Sequence, residues 1–105
     1  MGFEAIGWNK VPTIRYYVDG ETGESHIHRH GVREEEVAEV LARPGEDRSG
    51  REGARVAIGK TRAGRVIRVV YVPDPELDEL FVLTAFELQG KPLRAFKRRW
   101  RGKRS

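Results

Sequence analysis

The stretch from residue 55 to residue 86 limits what this chain can fold into more than any other part of it. Residues 55–61 and 65–72 are two runs rich in Val and Ile, separated only by Arg62-Ala63-Gly64. In so short a connection Gly64 can adopt the left-handed conformation of a bulged hairpin turn. A third run, residues 79–86, follows Pro73-Asp74-Pro75-Glu76-Leu77-Asp78, whose two prolines are expected to interrupt the sheet. Within it Phe81, Leu83 and Ala85 alternate with Leu80, Val82 and Thr84, so both faces read as apolar. A sheet of that kind needs cover on both faces, and the rest of the chain must supply it.

Two helices can do so. Residues 33–43 place Val37, Val40 and Leu41 at helical spacing, with Glu34, Glu35 and Glu36 in the first turn, where the helix dipole favours carboxylates; Pro44 ends the element. After Gly90, Pro92 is tolerated in the first turn of a second helix, and Leu93, Phe96 and Trp100 form a stripe that should dock on the sheet. Ahead of these, residues 13–18 read as a strand and residues 19–23 as a turn. Residues 44–53 contain nothing apolar and are expected to form a mobile surface loop. The predicted order is β-α-β-β-β-α: an α+β fold with a small antiparallel sheet and two helices. It should form a single domain over 1–105, with 1–12 and 102–105 flexible.

At 105 residues and without cysteine, a single core must hold with no disulfide or thiolate-bound metal. Thiol enzymes, Cys-based zinc modules and an oxidising compartment fall away. No apolar run approaches the roughly 20 residues that span a bilayer, and the first 25 residues lack a secretory core, so the cytoplasm is the expected location. The net charge of +4 is unevenly spread. Residues 90–105 carry eight basic residues and no acidic one, and residues 53–73 hold Arg55, Lys60, Arg62, Arg65 and Arg68 without a carboxylate. A basic face attracts a polyanion through counterion release, and RNA is the expected partner.

The three histidines fall together in His26-Ile27-His28-Arg29-His30. On an extended segment the three imidazoles would project to one side; on a helix only His26 and His30 share a face. With Arg29 in their midst and no cysteine, neither a metal nor another cofactor is expected. His26 and His30 are instead candidates for proton transfer near neutral pH, with surface or capping roles as the alternative. Cleaving RNA through its own 2′-hydroxyl needs such groups and cations to stabilise the phosphorane-like transition state. Arg68 is the sharpest candidate cation, since it interrupts the apolar run Val66-Ile67-Arg68-Val69-Val70-Tyr71. Arg29, Lys60, Arg62 and Arg65, with Arg94, Lys97, Arg98 and Arg101 on the last helix, are candidate RNA contacts. Strand alternation places Arg65 and Arg68 on opposite faces, so only a subset can cooperate. Gly59-Lys60-Thr61 does not complete a P-loop, because Ala54 stands where its first glycine is required and no helix follows. No serine nucleophile elbow is present.

Several of these segments in succession resemble the BrnT-like toxins and a related bacterial domain family. They are Arg29-His30-Gly31-Val32, the Glu-rich helix ending in Val40-Leu41 and a proline, Ile58-Gly59-Lys60-Thr61 with Ala63-Gly64-Arg65, Val69-Val70-Tyr71, Leu83-Thr84-Ala85, and a final basic and aromatic helix. The resemblance covers residues 26–101. It implies a RelE-like fold and a metal-independent endoribonuclease neutralised by a small cognate antitoxin protein, and it carries over Arg29, His30, Lys60, Arg65 and the basic helix. Phe86 follows Thr84-Ala85 where the pattern usually has arginine. The expected function is thus a toxin-like RNA-binding domain with His26 or His30 in proton transfer. The alternative is a non-catalytic module that binds nucleic acid or an acidic protein through its last helix.

Overall fold

The computed structural model describes residues 12–104, with side chains to Arg101. The elements are β1 (Thr13–Tyr16), a 3₁₀ helix (His26–His30), α1 (Glu34–Ala42), β2 (Glu46–Ser49), β3 (Arg55–Lys60), β4 (Val66–Asp74), β5 (Glu79–Glu87) and α2 (Gly90–Arg104). The fold is α+β, with one five-stranded sheet in the order β1-β5-β4-β3-β2. The flexibility expected of residues 1–11 and of Ser105 lies outside the described residues. α2 runs to Arg104, through most of the other stretch expected to be flexible.

Alternation along β3 and β4 builds a core on each side of the sheet. Ala57, Ile67, Val69 and Tyr71 face α1 and the 3₁₀ helix, packing with Ile27, Val32, Val37, Val40 and Leu41. Val56, Ile58 and Val66 point the other way and meet Phe96, Leu93 and Trp100 of α2, the stripe expected to dock there. The β3–β4 hairpin closes as its sequence indicates: the Thr61 amide donates to the Arg65 carbonyl at 2.8 Å, and Gly64 has φ +92°. α1 begins after Arg33, whose backbone N–H donates to Glu36 Oε1 at 3.1 Å.

Four expectations need correction. The segment expected to be a mobile loop contains β2, which pairs antiparallel with β3 from Glu46↔Ile58 to Ser49↔Arg55. An edge strand needs only backbone pairing, and its one buried side chain, Glu46, is neutralised by Arg99 of α2. The sheet is mixed, because β1 runs parallel to β5. Pro73 does not interrupt β4: it pairs with Leu80 beyond Tyr71, where β3 pairing ends, so its missing N–H breaks no bond to β3. In β5, Val70 pairs with Thr84 but Tyr71 with Val82, leaving Leu83 as an extra residue. This bulge puts Val82 and Ala85 in the same core, instead of aligning Ala85 with Phe81 and Leu83. No helix among the described residues is long and apolar enough to cross a membrane.

Candidate functional site

β1 pairs with β5 only as far as Val82, so among the described residues no strand pairs with the outer edge of β5 from Leu83 onward, and the 3₁₀ helix packs along β5. Two backbone bonds fix its start: the Tyr17 N–H donates to the Val82 carbonyl and the His26 N–H to the Tyr17 carbonyl, both at 2.8 Å. Ile27 anchors it, being 1% exposed, and Gly31 ends it in the left-handed region at φ +73°. The His26 and His30 rings meet on one side of the segment, and His28 lies apart, 3.8 Å from Glu24.

The consequence is a continuous string of rings. Tyr17 and His26 have centroids 5.8 Å apart, His26 and His30 5.1 Å, and His30 and Phe86 6.1 Å, each pair edge to face. The Arg68 guanidinium carbon sits 5.9 Å from the Phe86 ring centre. The three residues expected to act in catalysis, His26, His30 and Arg68, are therefore linked through one aromatic residue. Asp19, absent from the sequence-based set, backs the string. Its carboxylate accepts from the Glu21 N–H at 3.2 Å and from Arg29 Nη1 at 2.7 Å, and lies 3.9 Å from His26 Nδ1. The Glu21 amide first, and then the Arg29 charge, hold its carboxyl below the usual range against the opposing effect of burial. Arg29 is thus paired to a carboxylate, though its side chain stays 58% exposed.

A second cationic feature lies where α2 crosses the end of the sheet. Arg43, Lys60, Lys97 and Arg101 line a groove of about 430 Å³ with Trp100 and Phe96 among its apolar walls. Lys60, Lys97 and Arg101 belong to the expected RNA-contacting set; Arg43, at the end of α1, was not singled out. Arg62, Arg94 and Arg98 are exposed and do not line this groove. Arg65 does not join either group. On the α1 face, its Nη1 donates to both Glu36 oxygens at 2.9 and 3.0 Å, and its Nη2 lies 3.3 Å from the Gly31 carbonyl and from Glu87. It bridges the scaffold, and its proposed RNA contact is set aside because these carboxylates occupy it.

No family model, curated protein or solved structure matches the chain. The likeness to BrnT-like toxins rests on its residues alone. Among the described residues, no group of three or more His, Cys, Asp or Glu is placed to hold a metal ion. The arrangement offers two imidazoles, a guanidinium and exposed aromatic surface on one open edge. Those are the components of proton transfer at a phosphate and of stacking against a base. The sequence signal for Phe86 was its departure from the toxin pattern. Asp19 carried none beyond its place in a turn.

Proposed function

We propose that the protein is a metal-independent endoribonuclease, the RNA-binding toxin of a toxin–antitoxin pair with the RelE-like fold its resemblance implies. The observation that supports this reading is the 5.1 Å approach of His26 to His30 within one aromatic ring of Arg68. One imidazole takes the proton of a ribose 2′-hydroxyl as its oxygen attacks phosphorus. The other protonates the departing 5′-oxygen, leaving a 2′,3′-cyclic phosphate and a 5′-hydroxyl end. Arg68 stabilises the charge that builds on the phosphoryl oxygens. Asp19 orients His26, and Phe86 and Tyr17 present faces on which flanking bases stack. A cognate antitoxin would act by covering the cationic surface with acidic side chains.

The second reading, a non-catalytic module that grips RNA or an acidic protein, is favoured by Arg94 and Arg98, which stand exposed on α2 outside the groove. Incubation with mixed RNA in EDTA separates the two. Cleavage by the wild type and none by the His26→Ala, His30→Ala double variant supports the enzyme. Intact RNA with salt-sensitive binding supports the module. Growth arrest on expression, relieved by a co-expressed neighbouring reading frame, tests the toxin role separately.

A further inference from the structure

The groove between α2 and the end of the sheet combines two chemistries that the cleavage site does not use. Its floor is apolar and partly flat: Trp100, half-buried, lies near Pro44 and Val66, and its ring is near-parallel to that of Phe96 at 14°. Its rim is cationic. Arg43, Lys60 and Lys97 are exposed, and among the described residues none of them makes an ion pair and no carboxylate lines the groove. The volume of about 430 Å³ lies in the range that nucleotide-sized groups fill.

The groove is also built in advance. The Gly45 N–H donates to the Ile58 carbonyl at 2.8 Å, tying the floor to β3. A Cβ on Gly45 would stand 3.0 Å from Phe96 Cζ and 3.2 Å from Trp100 Nε1, so the bare backbone there lets both rings sit against it. A Cβ on Gly59 would stand 3.3 Å from Val40 Cγ1 and in ordinary contact with the Arg43 carbonyl at 3.4 Å and Pro44 Cα at 3.5 Å, so the Arg43–Pro44 segment lies directly against β3. The backbone against which the Trp100 ring sits is set before any ligand arrives, and the flanking cations stand on exposed side chains around it.

We infer that this groove seats one unpaired nucleotide of an RNA strand, its base against Trp100 and its phosphates on Lys60, Lys97 and Arg43. The inference rests on the RNA-binding part of the proposed function but not on cleavage by His26 and His30. Phosphate alone would need no apolar floor, and an acidic peptide would bring carboxylates without a flat apolar face. A base with its phosphates brings both. In a duplex the base faces are stacked inside the helix, so only an unpaired strand can present one. Val66, a groove residue, and Arg68 share a face of β4 two residues apart, about 7 Å along the strand, which puts the two sites side by side.

The test uses the full chain carrying Trp8→Phe, so that Trp100 is the sole indole, and a 2′-O-methyl RNA strand of about 12 nucleotides that cannot be cut. The single strand should quench Trp100 emission saturably and bind at least about 10-fold more tightly than a duplex of the same sequence. The Lys60→Glu, Lys97→Glu variant, changed only at exposed side chains, should keep its melting temperature and lose at least about 10-fold in affinity. Its salt slope should fall in magnitude by about 1.4, two phosphate contacts at single-strand stoichiometry. The inference is overturned if the duplex binds as well as the single strand, if Trp100 emission stays fixed at saturation, or if the charge reversal leaves affinity unchanged. Adenosine monophosphate binding as tightly as the strand would overturn it too, by marking a free-nucleotide site. Unmodified RNA that quenches Trp100 but survives in EDTA refutes the cleavage reading and leaves this one standing. RNA that is cut without moving Trp100 emission does the reverse.

Discussion

Replacing Arg65 with alanine separates scaffold from binding surface more directly than any other single change. The Glu36 side chain is 2% exposed and takes two bonds from Arg65 at 2.9 and 3.0 Å. Without the guanidinium it keeps only the Arg33 N–H at 3.1 Å and the Arg33 Nε at 4.0 Å. Removing one partner of a buried pair costs about 3–5 kcal/mol, because the survivor stays desolvated. Arg65 is itself 31% exposed and Glu36 retains the Arg33 amide, so the low end applies, about 3 kcal/mol. At about 4 °C per kcal/mol for a domain of this length, Arg65→Ala should lower the melting temperature by about 12 °C. Glu36→Gln in the Arg65→Ala background should restore part of that loss, giving a coupling of about 1–2 kcal/mol in a double-mutant cycle. Circular dichroism melts measure both. RNA affinity, taken where the variant is still folded, should change less than about twofold, since the carboxylates already occupy this arginine. A melting shift under about 3 °C, or a tenfold affinity loss in folded protein, would refute the assignment of Arg65 to the scaffold.

Other perturbations reach different parts of the fold. Burial, aided by Asp47, pushes the Tyr71 phenol up to about 12 from its ordinary 10.0. A raised value means that the phenol's contribution is complete below pH 10 and lost as pH rises through about 12, so stability should fall across that window. Tyr71→Phe should flatten part of this fall and cost about 1 kcal/mol near neutrality through the lost bond to Asp47; an unchanged alkaline profile would contradict it. Phe96 is 2% exposed, so Phe96→Ala should cost about 3–5 kcal/mol in urea titration, and truncation after Gly90 should abolish the cooperative melt. Gly45→Ala, by pressing a methyl group to 3.0 Å from Phe96, should cost about 1–2 kcal/mol and change the near-ultraviolet signal of Trp100.

What was legible in the sequence follows from the range of each interaction. The β3–β4 hairpin, α1 and the α2 stripe are specified by neighbours a few positions apart, and the hairpin strands and α1 form within two residues of their expected bounds. β2 was illegible because its stability comes from afar: Glu46 is neutralised by Arg99, 53 positions on, and its backbone pairs with β3 across a turn whose one apolar residue is Ala54. The bulge at Leu83 was hidden for a related reason. Strict alternation in residues 79–86 fits either register, and only pairing with β4 selects the one that buries both Val82 and Ala85. At the site, the helical reading of the histidine segment brought His26 and His30 together, whereas Asp19 and Arg43 contribute through contacts that no local pattern announces.

The basic run from Arg55 to Arg68 shows why charge density along a chain is not a map of a binding surface. Strand parity sorts these residues before any ligand does. Arg55 and Arg65 point to the α1 face, where Asp47 and Glu36 meet them at 3.0 and 2.9 Å, and both are consumed in holding elements together. Lys60 and Arg68 point to the α2 face, where no carboxylate pairs with either among the described residues; one joins the groove and the other lies over Phe86. Arg62, at the turn, belongs to neither. Exchanging Lys60 for glutamate should therefore weaken RNA binding at constant stability, and exchanging Arg65 should do the opposite. If both substitutions lowered affinity equally in folded protein, parity would not be the sorting device, and RNA would contact the hairpin through its tip.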